Sequence, residues 1–329
     1  MAYSLEKRLV IGVSTRALFD LHVENSIFEE KGVDAYSLYQ KEHEGEVLKP
    51  GPGFRLMKAL LQLNKLPGHE NRVEVILMSK NSPDISLRIF HSIEYYGLNI
   101  TRAVFLSGAP LAPYLSAFHT DLFLSACEQD VQAAIDAGIA AGIICEDGRQ
   151  NDLPGSEQDM WDMADQEIGQ IRIAFDGDAV LFSDEAEQVF REKGLQAFES
   201  SEKEKAGMPL HAGPFARFLK TLSDLQKEFD ADKAPIRTAL VTARSAPAHE
   251  RVVRTLRAWN VRIDEAFFLG GITKREVLSA FGAQIFFDDQ LLHTRQASEV
   301  VPAARVPIKS ESPLNHIIYK MERKIDEVS

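Results

Sequence analysis

The chain repeats itself. Phe28-Glu29-Glu30-Lys31-Gly32 returns as Phe190-Arg191-Glu192-Lys193-Gly194, and Gly51-Pro52 returns as Gly213-Pro214, both 162 positions later. Further on the interval becomes 163: Ser82 matches Ser245, Arg88 matches Arg251, and Leu115-Ser116-Ala117-Phe118 matches Leu278-Ser279-Ala280-Phe281. A single one-residue indel accounts for the change. Self-similarity over so long an interval means one folding unit present twice, an internal duplication.

Within each unit, short β-branched runs alternate with longer helical patterns, which predicts βα units around a parallel sheet. Strands are expected at 9–14, 73–79, 102–106, 121–125 and 141–145, then at 171–176, 237–242, 265–269, 284–288 and 304–308. The fold class is therefore α/β, two duplicated Rossmann-like units with mainly parallel sheets. A polar stretch from Glu146 to about Gln166 reads as a linker, dividing the chain into domains 1–160 and 161–329. After Pro313, Ile317, Ile318, Met321 and Ile325 fall at amphipathic helical spacing, for a helix that packs on its own domain or on a second copy in a homo-oligomer.

Composition narrows the function classes. The 329 residues suffice for two cores. A net charge of -12 opposes binding to a nucleic-acid polymer, whereas a small anion needs only local positive charge. The longest apolar runs are too short for a membrane span. No charged-then-apolar leader precedes the first strand, and only Cys127 and Cys145 are present, so a reducing cytoplasm is the expected compartment.

The second copy carries the chemistry. Ile171-Arg172-Ile173-Ala174-Phe175 runs into Asp176-Gly177-Asp178, two carboxylates at the carboxyl edge of a strand, where open α/β sheets bind ligands. Asp176 suits nucleophilic attack on phosphorus, and Asp178 suits protonation of the leaving oxygen and later activation of water. A second strand delivers Thr242, followed by Ala243, Arg244 and Ser245, where a Ser cap and early Pro247 open a helix whose amides could hold phosphate oxygens. Gly270-Gly271-Ile272-Thr273-Lys274 places an ammonium at the start of a further helix, suited to neutralising phosphoryl and carboxylate charge. A last apolar strand ends in Asp288-Asp289, hard oxygen ligands suited to Mg2+.

The order DxD, Thr, Lys, DD, each after a strand, is similar to the four motifs of haloacid dehalogenase-like phosphatases. Receiver domains use like groups, but place the acidic pair first and the lysine last. The wording of 174–185 and 242–251, with Val13–Asp20, Lys80–Asp84 and Phe286–Gln290, resembles the cytosolic 5'-nucleotidase I family over most of the chain. That resemblance implies hydrolysis of nucleoside 5'-monophosphates with Mg2+, AMP being favoured by vertebrate members. It implies Asp176 as nucleophile and metal ligand, Asp178 as acid/base with its main-chain carbonyl on the metal, and Asp288 as a further ligand. Thr242 and Lys274 would hold the phosphate, with Gly177, Ala243, Arg244 and Ser245 in the same binding region. Asp289 would orient the metal's waters.

The first copy has Ser14 for Asp176, Arg16 for Asp178, Leu111 for Lys274 and Ser125-Ala126 for Asp288-Asp289, so it is catalytically degenerate. Ser79 stands where Thr242 does, followed by Lys80 and a helix-opening Ser82-Pro83. This half is either a scaffold or a nucleotide-recognising unit. Between the first two motifs of the second copy, two helices are expected near 185–194 and 213–229, with no large separate cap. His211, Phe215 and the loops of the first copy are candidates for base recognition. The alternative activities are a phosphatase or phosphotransferase on another small phosphate ester, or a non-catalytic nucleotide-binding regulator.

Overall fold

The computed structural model describes residues 4–145, 169–315 and 317. Ten strands, β1 (Leu9–Ser14), β2 (Val73–Ser79), β3 (Arg102–Phe105), β4 (Leu122–Ser125), β5 (Ala140–Ile144), β6 (Ile171–Phe175), β7 (Ile236–Thr242), β8 (Glu265–Phe268), β9 (Ile285–Asp288) and β10 (Ala303–Arg305), join in one sheet. Their order is β3-β2-β1-β4-β5-β10-β9-β6-β7-β8. Every pairing is parallel except β5 with β10, where the two halves meet antiparallel. The central strands are buried along almost their whole length and mostly apolar, as sheets covered by helices on both faces require. Strand order reverses direction between β1 and β4 and again between β6 and β9, the two switch points where such sheets open a crevice.

The strand expectations hold to within two or three residues, β10 being shorter than its apolar run suggested. The helices differ more. Between β6 and β7 lie three, Glu185–Lys193, Leu195–Glu204 and Ala216–Gln226, one more than expected. Leu195–Glu204 was missed because its sequence has a weak apolar stripe and follows Gly194, whose φ of 79° ends the preceding helix. The helix after β7 begins at His249, since Ala246 and Pro247 form a turn and Ser245 caps nothing. A residue before proline is held out of the α region, which delays the start. The linker, the boundary near 160 and most of the C-terminal helix lie outside the described residues.

The intervals of the sequence repeat return as hydrogen bonds. Gly51 N–H donates to Leu18 O at 2.9 Å, and Gly213 N–H to Leu181 O at 2.8 Å. Arg88 Nε donates to Glu46 O (3.1 Å) and Arg251 Nε to Met208 O (2.9 Å). Ser92 and Thr255 each donate to the carbonyl four residues back and accept from the backbone of Leu48 and Leu210 respectively. Leu18 and Leu181 are 163 apart while Gly51 and Gly213 are 162 apart, so the interval shifts more than once and the single indel is corrected. The additional residue lies after β6: Thr15–Leu18 closes a four-residue turn, whereas Gly177–Leu181 closes a five-residue one through Phe182 N–H on Gly177 O (2.9 Å), with Ala179 at φ 59°.

Gly51 and Gly213 recur because both lie against backbone. A Cβ on Gly213 would stand 2.3 Å from Phe182 O, and one on Gly51 would stand 2.8 Å from Phe19 C. These glycines pin the turn that follows β1 and β6. Beneath it, one continuous apolar cluster runs from Leu9 and Val10 in the first half to Phe175, Phe215, Phe218 and Phe287 in the second.

Candidate active site

Four strand ends build the site. Asp176 follows β6 and is fixed by its N–H donating to Phe287 O at 2.8 Å. Thr242 ends β7 and is 1% exposed. Asp288 ends β9 and Asp289 follows it, while Lys274 is the N-terminal flanking residue of the helix Arg275–Phe281 after β8. The carboxylates of Asp176, Asp288 and Asp289 approach one another within 4.8 Å. Among the described residues they form the one group of three acidic, His or Cys side chains close enough to hold a metal ion. Lys274 Nζ bridges two of them, at 2.7 Å from Asp176 Oδ1 and 2.6 Å from Asp288 Oδ2.

Charge balance identifies what the cluster lacks. Burial raises the Asp176 carboxyl, against the pull of Lys274, up to about 7. Asp289 is raised well above the usual carboxylate range by burial and by the charges of Asp288 and Asp176. Asp288 resists its own burial and is lowered, because Lys274 and His293 both face it; His293 Nδ1 is 3.3 Å from its Oδ2. One ammonium therefore serves three crowded carboxylates. Hard oxygen donors in this arrangement fit a divalent cation such as Mg2+, which would supply the missing positive charge.

Asp178 does not join that group. Its carboxylate is gripped in a bidentate pair by Arg244, with Nε to Oδ2 at 2.8 Å and Nη2 to Oδ1 at 2.7 Å. Arg244 Nη1 also donates to Glu202, whose second oxygen accepts from Arg251 Nη1 at 2.7 Å. The Arg244 guanidinium lies 5.3 Å from the ring centroid of Phe198. Arg244, Arg251 and Glu202 are all buried, so each charge depends on the others. Glu202 and Phe198 sit on Leu195–Glu204, the helix absent from the sequence expectations. Their signal was present in the repeat, since Gln40 and Tyr36 stand 162 positions earlier and Gln40 accepts from Arg88 as Glu202 accepts from Arg251.

The other expected residues divide. Gly177 backs directly on Thr242, whose Oγ1 is 3.2 Å from where a Cβ on Gly177 would sit. Thr242 Oγ1 accepts from Arg244 N at 3.2 Å, which shapes the loop through Ala243. Ala243 and Ser245 are exposed. Phe215 is fully buried, 4.6 Å from the ring centroid of Phe287, and so belongs to the core and not to a base-recognising wall. His211 is largely exposed beside Glu185 (3.2 Å).

At the corresponding strand ends of the first half stand Ser14, Ser79 and Ser125, with Arg16 and Lys80 beside them. Ser79 Oγ accepts from Asn81 N and Ser125 Oγ from Cys127 N, both at 3.1 Å, as Thr242 Oγ1 does from Arg244 N and Asp288 Oδ1 from Gln290 N. Leu111 is buried where Lys274 stands.

Fold and site together define a class: an α/β protein with a largely parallel sheet whose carboxyl edge carries a carboxylate and lysine centre suited to a hard cation and a phosphoryl group. The chain belongs to the 5'-nucleotidase family, whose model matches residues 1–313. It is 38% identical over 302 residues to human cytosolic 5'-nucleotidase 1B, an alignment that covers 89% of this chain and 47% of that protein. The chain thus spans about half the length of this relative. Among solved structures, a histidinol dehydrogenase from Elizabethkingia anophelis overlaps 78% of this chain and 51% of its own at 11% identity and a TM-score of 0.23, too low to bear on fold or function.

Proposed function

We propose that the chain is a Mg2+-dependent 5'-nucleotidase that hydrolyses nucleoside 5'-monophosphates through an aspartyl-phosphate on Asp176. The observation that carries this reading is the Asp176, Asp288 and Asp289 group within 4.8 Å, bridged by Lys274. Family membership and the cytosolic relative support the substrate class.

In this reading an Asp176 oxygen attacks phosphorus while the ester oxygen leaves as the nucleoside hydroxyl, taking its proton from Asp178. Water then attacks the aspartyl-phosphate, Asp178 accepts its proton, and inorganic phosphate departs with Asp176 restored. Bound Mg2+ would be held by Asp176, Asp288, Asp289 and the Asp178 carbonyl, and would supply charge neutralisation for the phosphoryl oxygens. Lys274 and Thr242 hold those oxygens, and the buried site keeps bulk water from competing. Asp178 must leave Arg244 to reach the ester oxygen, so the Arg244 pair is a resting position.

We further infer that 1–160 and 161–329 are copies of one haloacid dehalogenase-like unit, of which only the second kept the reactive carboxylates. The recurring hydrogen bonds and the mirrored strand orders β3-β2-β1-β4-β5 and β8-β7-β6-β9-β10 support that inference. A cytoplasmic location belongs to the same proposal, supported by the cytosolic relative. Among the described residues no helix is long and apolar enough to cross a membrane.

The test is a phosphate-release screen over nucleoside monophosphates and sugar phosphates, with and without Mg2+. Release from nucleotides that vanishes in Asp176→Asn is the expected result. Full activity in that variant, or release confined to sugar phosphates, overturns the reading.

A further inference from the structure

A cavity of about 580 Å3 opens in the first half, over the carboxyl ends of β1, β2 and β4 and so at the β1/β4 switch point. Its floor is hydroxyl-rich: Ser14, Ser79 and Ser125 line it, and Ser79 and Ser125 are 3% and 1% exposed. Each of the three Oγ atoms accepts a backbone N–H, which leaves its own O–H to donate into the space above. Arg16 and Lys80 stand at the same edge. Both carboxylates of the lining are already matched by cations, Asp130 by Lys80 (2.5 Å) and Glu24 by Arg88 (2.6 Å). The lining thus holds two cations, Arg16 and Lys80, and two carboxylates, a balanced set unlike the acid-rich second site. The upper wall is aromatic: Phe28 and Tyr36 meet edge to face at 5.9 Å, across the break in the helix His22–Glu42 at Gly32.

We propose that this cavity is a second, non-hydrolytic ligand site that binds a nucleoside monophosphate without a metal ion. The phosphate sits on the serine hydroxyls with Arg16 and Lys80, and the base lies against Phe28 and Tyr36. Three converging hydroxyl donors beside Arg16 and Lys80 recognise an acceptor-rich anion, a flat apolar ring fits the aromatic wall, and the volume is that of a small-molecule site. No carboxylate stands where Asp176 and Asp288 do, so the bound ester is neither attacked nor dependent on Mg2+. The choice of a nucleotide over other phosphate esters rests on the proposed 5'-nucleotidase activity. Mg2+-dependent phosphate release by the unmutated chain, measured in parallel, shows separately whether that activity fails.

Calorimetric titration of the full Asp176→Asn chain with AMP in EDTA tests the site. The expected result is a metal-independent binding event weakened at least about 10-fold by Lys80→Ala and by Ser37→Trp, and retained in Lys274→Ala. Ser37 lines the mouth on a half-buried helix face and makes no ion pair, so Ser37→Trp blocks the cavity even if loss of the Lys80 to Asp130 pair unfolds the other variant. Inorganic phosphate competing with AMP supports the phosphate end. Absence of binding in EDTA, binding abolished by Lys274→Ala yet unchanged by Ser37→Trp, or adenosine binding as tightly as AMP each overturns the proposal.

Discussion

At the scale of the residue, the site is governed by charge in a dry place. Lys274 bridges Asp176 and Asp288, and burial together with the crowding of Asp289 against them pushes the Asp176 and Asp289 carboxyls up. Asp176→Asn keeps the shape and removes the proposed nucleophile; phosphate release should fall by at least about 10³-fold, read in a release assay at saturating AMP. Lys274→Ala removes the ammonium from both the carboxylates and the phosphoryl group and should cost about 10²- to 10³-fold in kcat. The proposed Mg2+ would relieve that crowding only in the folded chain, so millimolar Mg2+ should raise the melting temperature. Asp288→Asn should shrink that shift, which scanning fluorimetry would measure.

At the scale of the element, the helix Leu195–Glu204 holds Asp178, the proposed acid/base residue, indirectly, through Glu202 and Arg244. Gly194 permits it with a φ of 79°, and Gly32 has a φ of 80° at the matching position in the first half. Gly194→Ala forces a side chain into a positive-φ extended conformation open essentially to glycine alone, at about 1–3 kcal/mol, seen as a lower denaturation midpoint. Loss of kcat should accompany it if the helix shifts away from Arg244. A second element, the segment before Pro313, is tied down by Ser310, which donates through N–H and Oγ to Asp136 at 2.8 and 2.7 Å. Slight burial opposes ionisation of Asp136, but the Ser310 bonds win and its carboxyl is lowered. Its small stabilisation is therefore present above the unfolded-state pKa and is lost as pH falls through the lower folded value. The melting-temperature gap between the native chain and Asp136→Asn should close below about pH 4.

At the scale of the whole molecule, the two halves share one sheet through β5 and β10. Gly142 lies at that seam, where a Cβ would come 2.9 Å from Ala304 Cβ and 3.2 Å from the Phe287 ring. Phe287 precedes Asp288, so the seam and the site are mechanically continuous. Gly142→Val should cost about 1–3 kcal/mol by overpacking and lower kcat as well, while calorimetry of the native chain should show one transition. Two resolved transitions would show that the seam does not couple the halves.

The strands, their order of appearance and the four site motifs were legible because they depend on local pattern: apolar runs with acidic, hydroxyl or basic residues just beyond them. Arg244 was placed in the phosphate-binding region, yet its partners are Asp178 and Glu202, a long-range pairing that no local spacing specifies. Phe215 looked available to a base and is core, because burial depends on what packs above a residue. The missed helix had a signal in the sequence repeat, since Gly32 and Gly194 recur 162 positions apart and both have positive φ.

What the sequence by itself determined is which carboxylate, hydroxyl and lysine residues follow the strands of the second half, and that Ser14, Arg16, Leu111 and Ser125 stand at the matching intervals of the first, since residue type and strand-end position are local properties. The tertiary structure alone decided that Asp176, Asp288 and Asp289 converge around Lys274, that Asp178 rests on Arg244, and that the first half encloses a cavity at its own switch point. Those outcomes depend on which strands become neighbours and on which charges lose their water, and both are set only when the whole sheet has assembled.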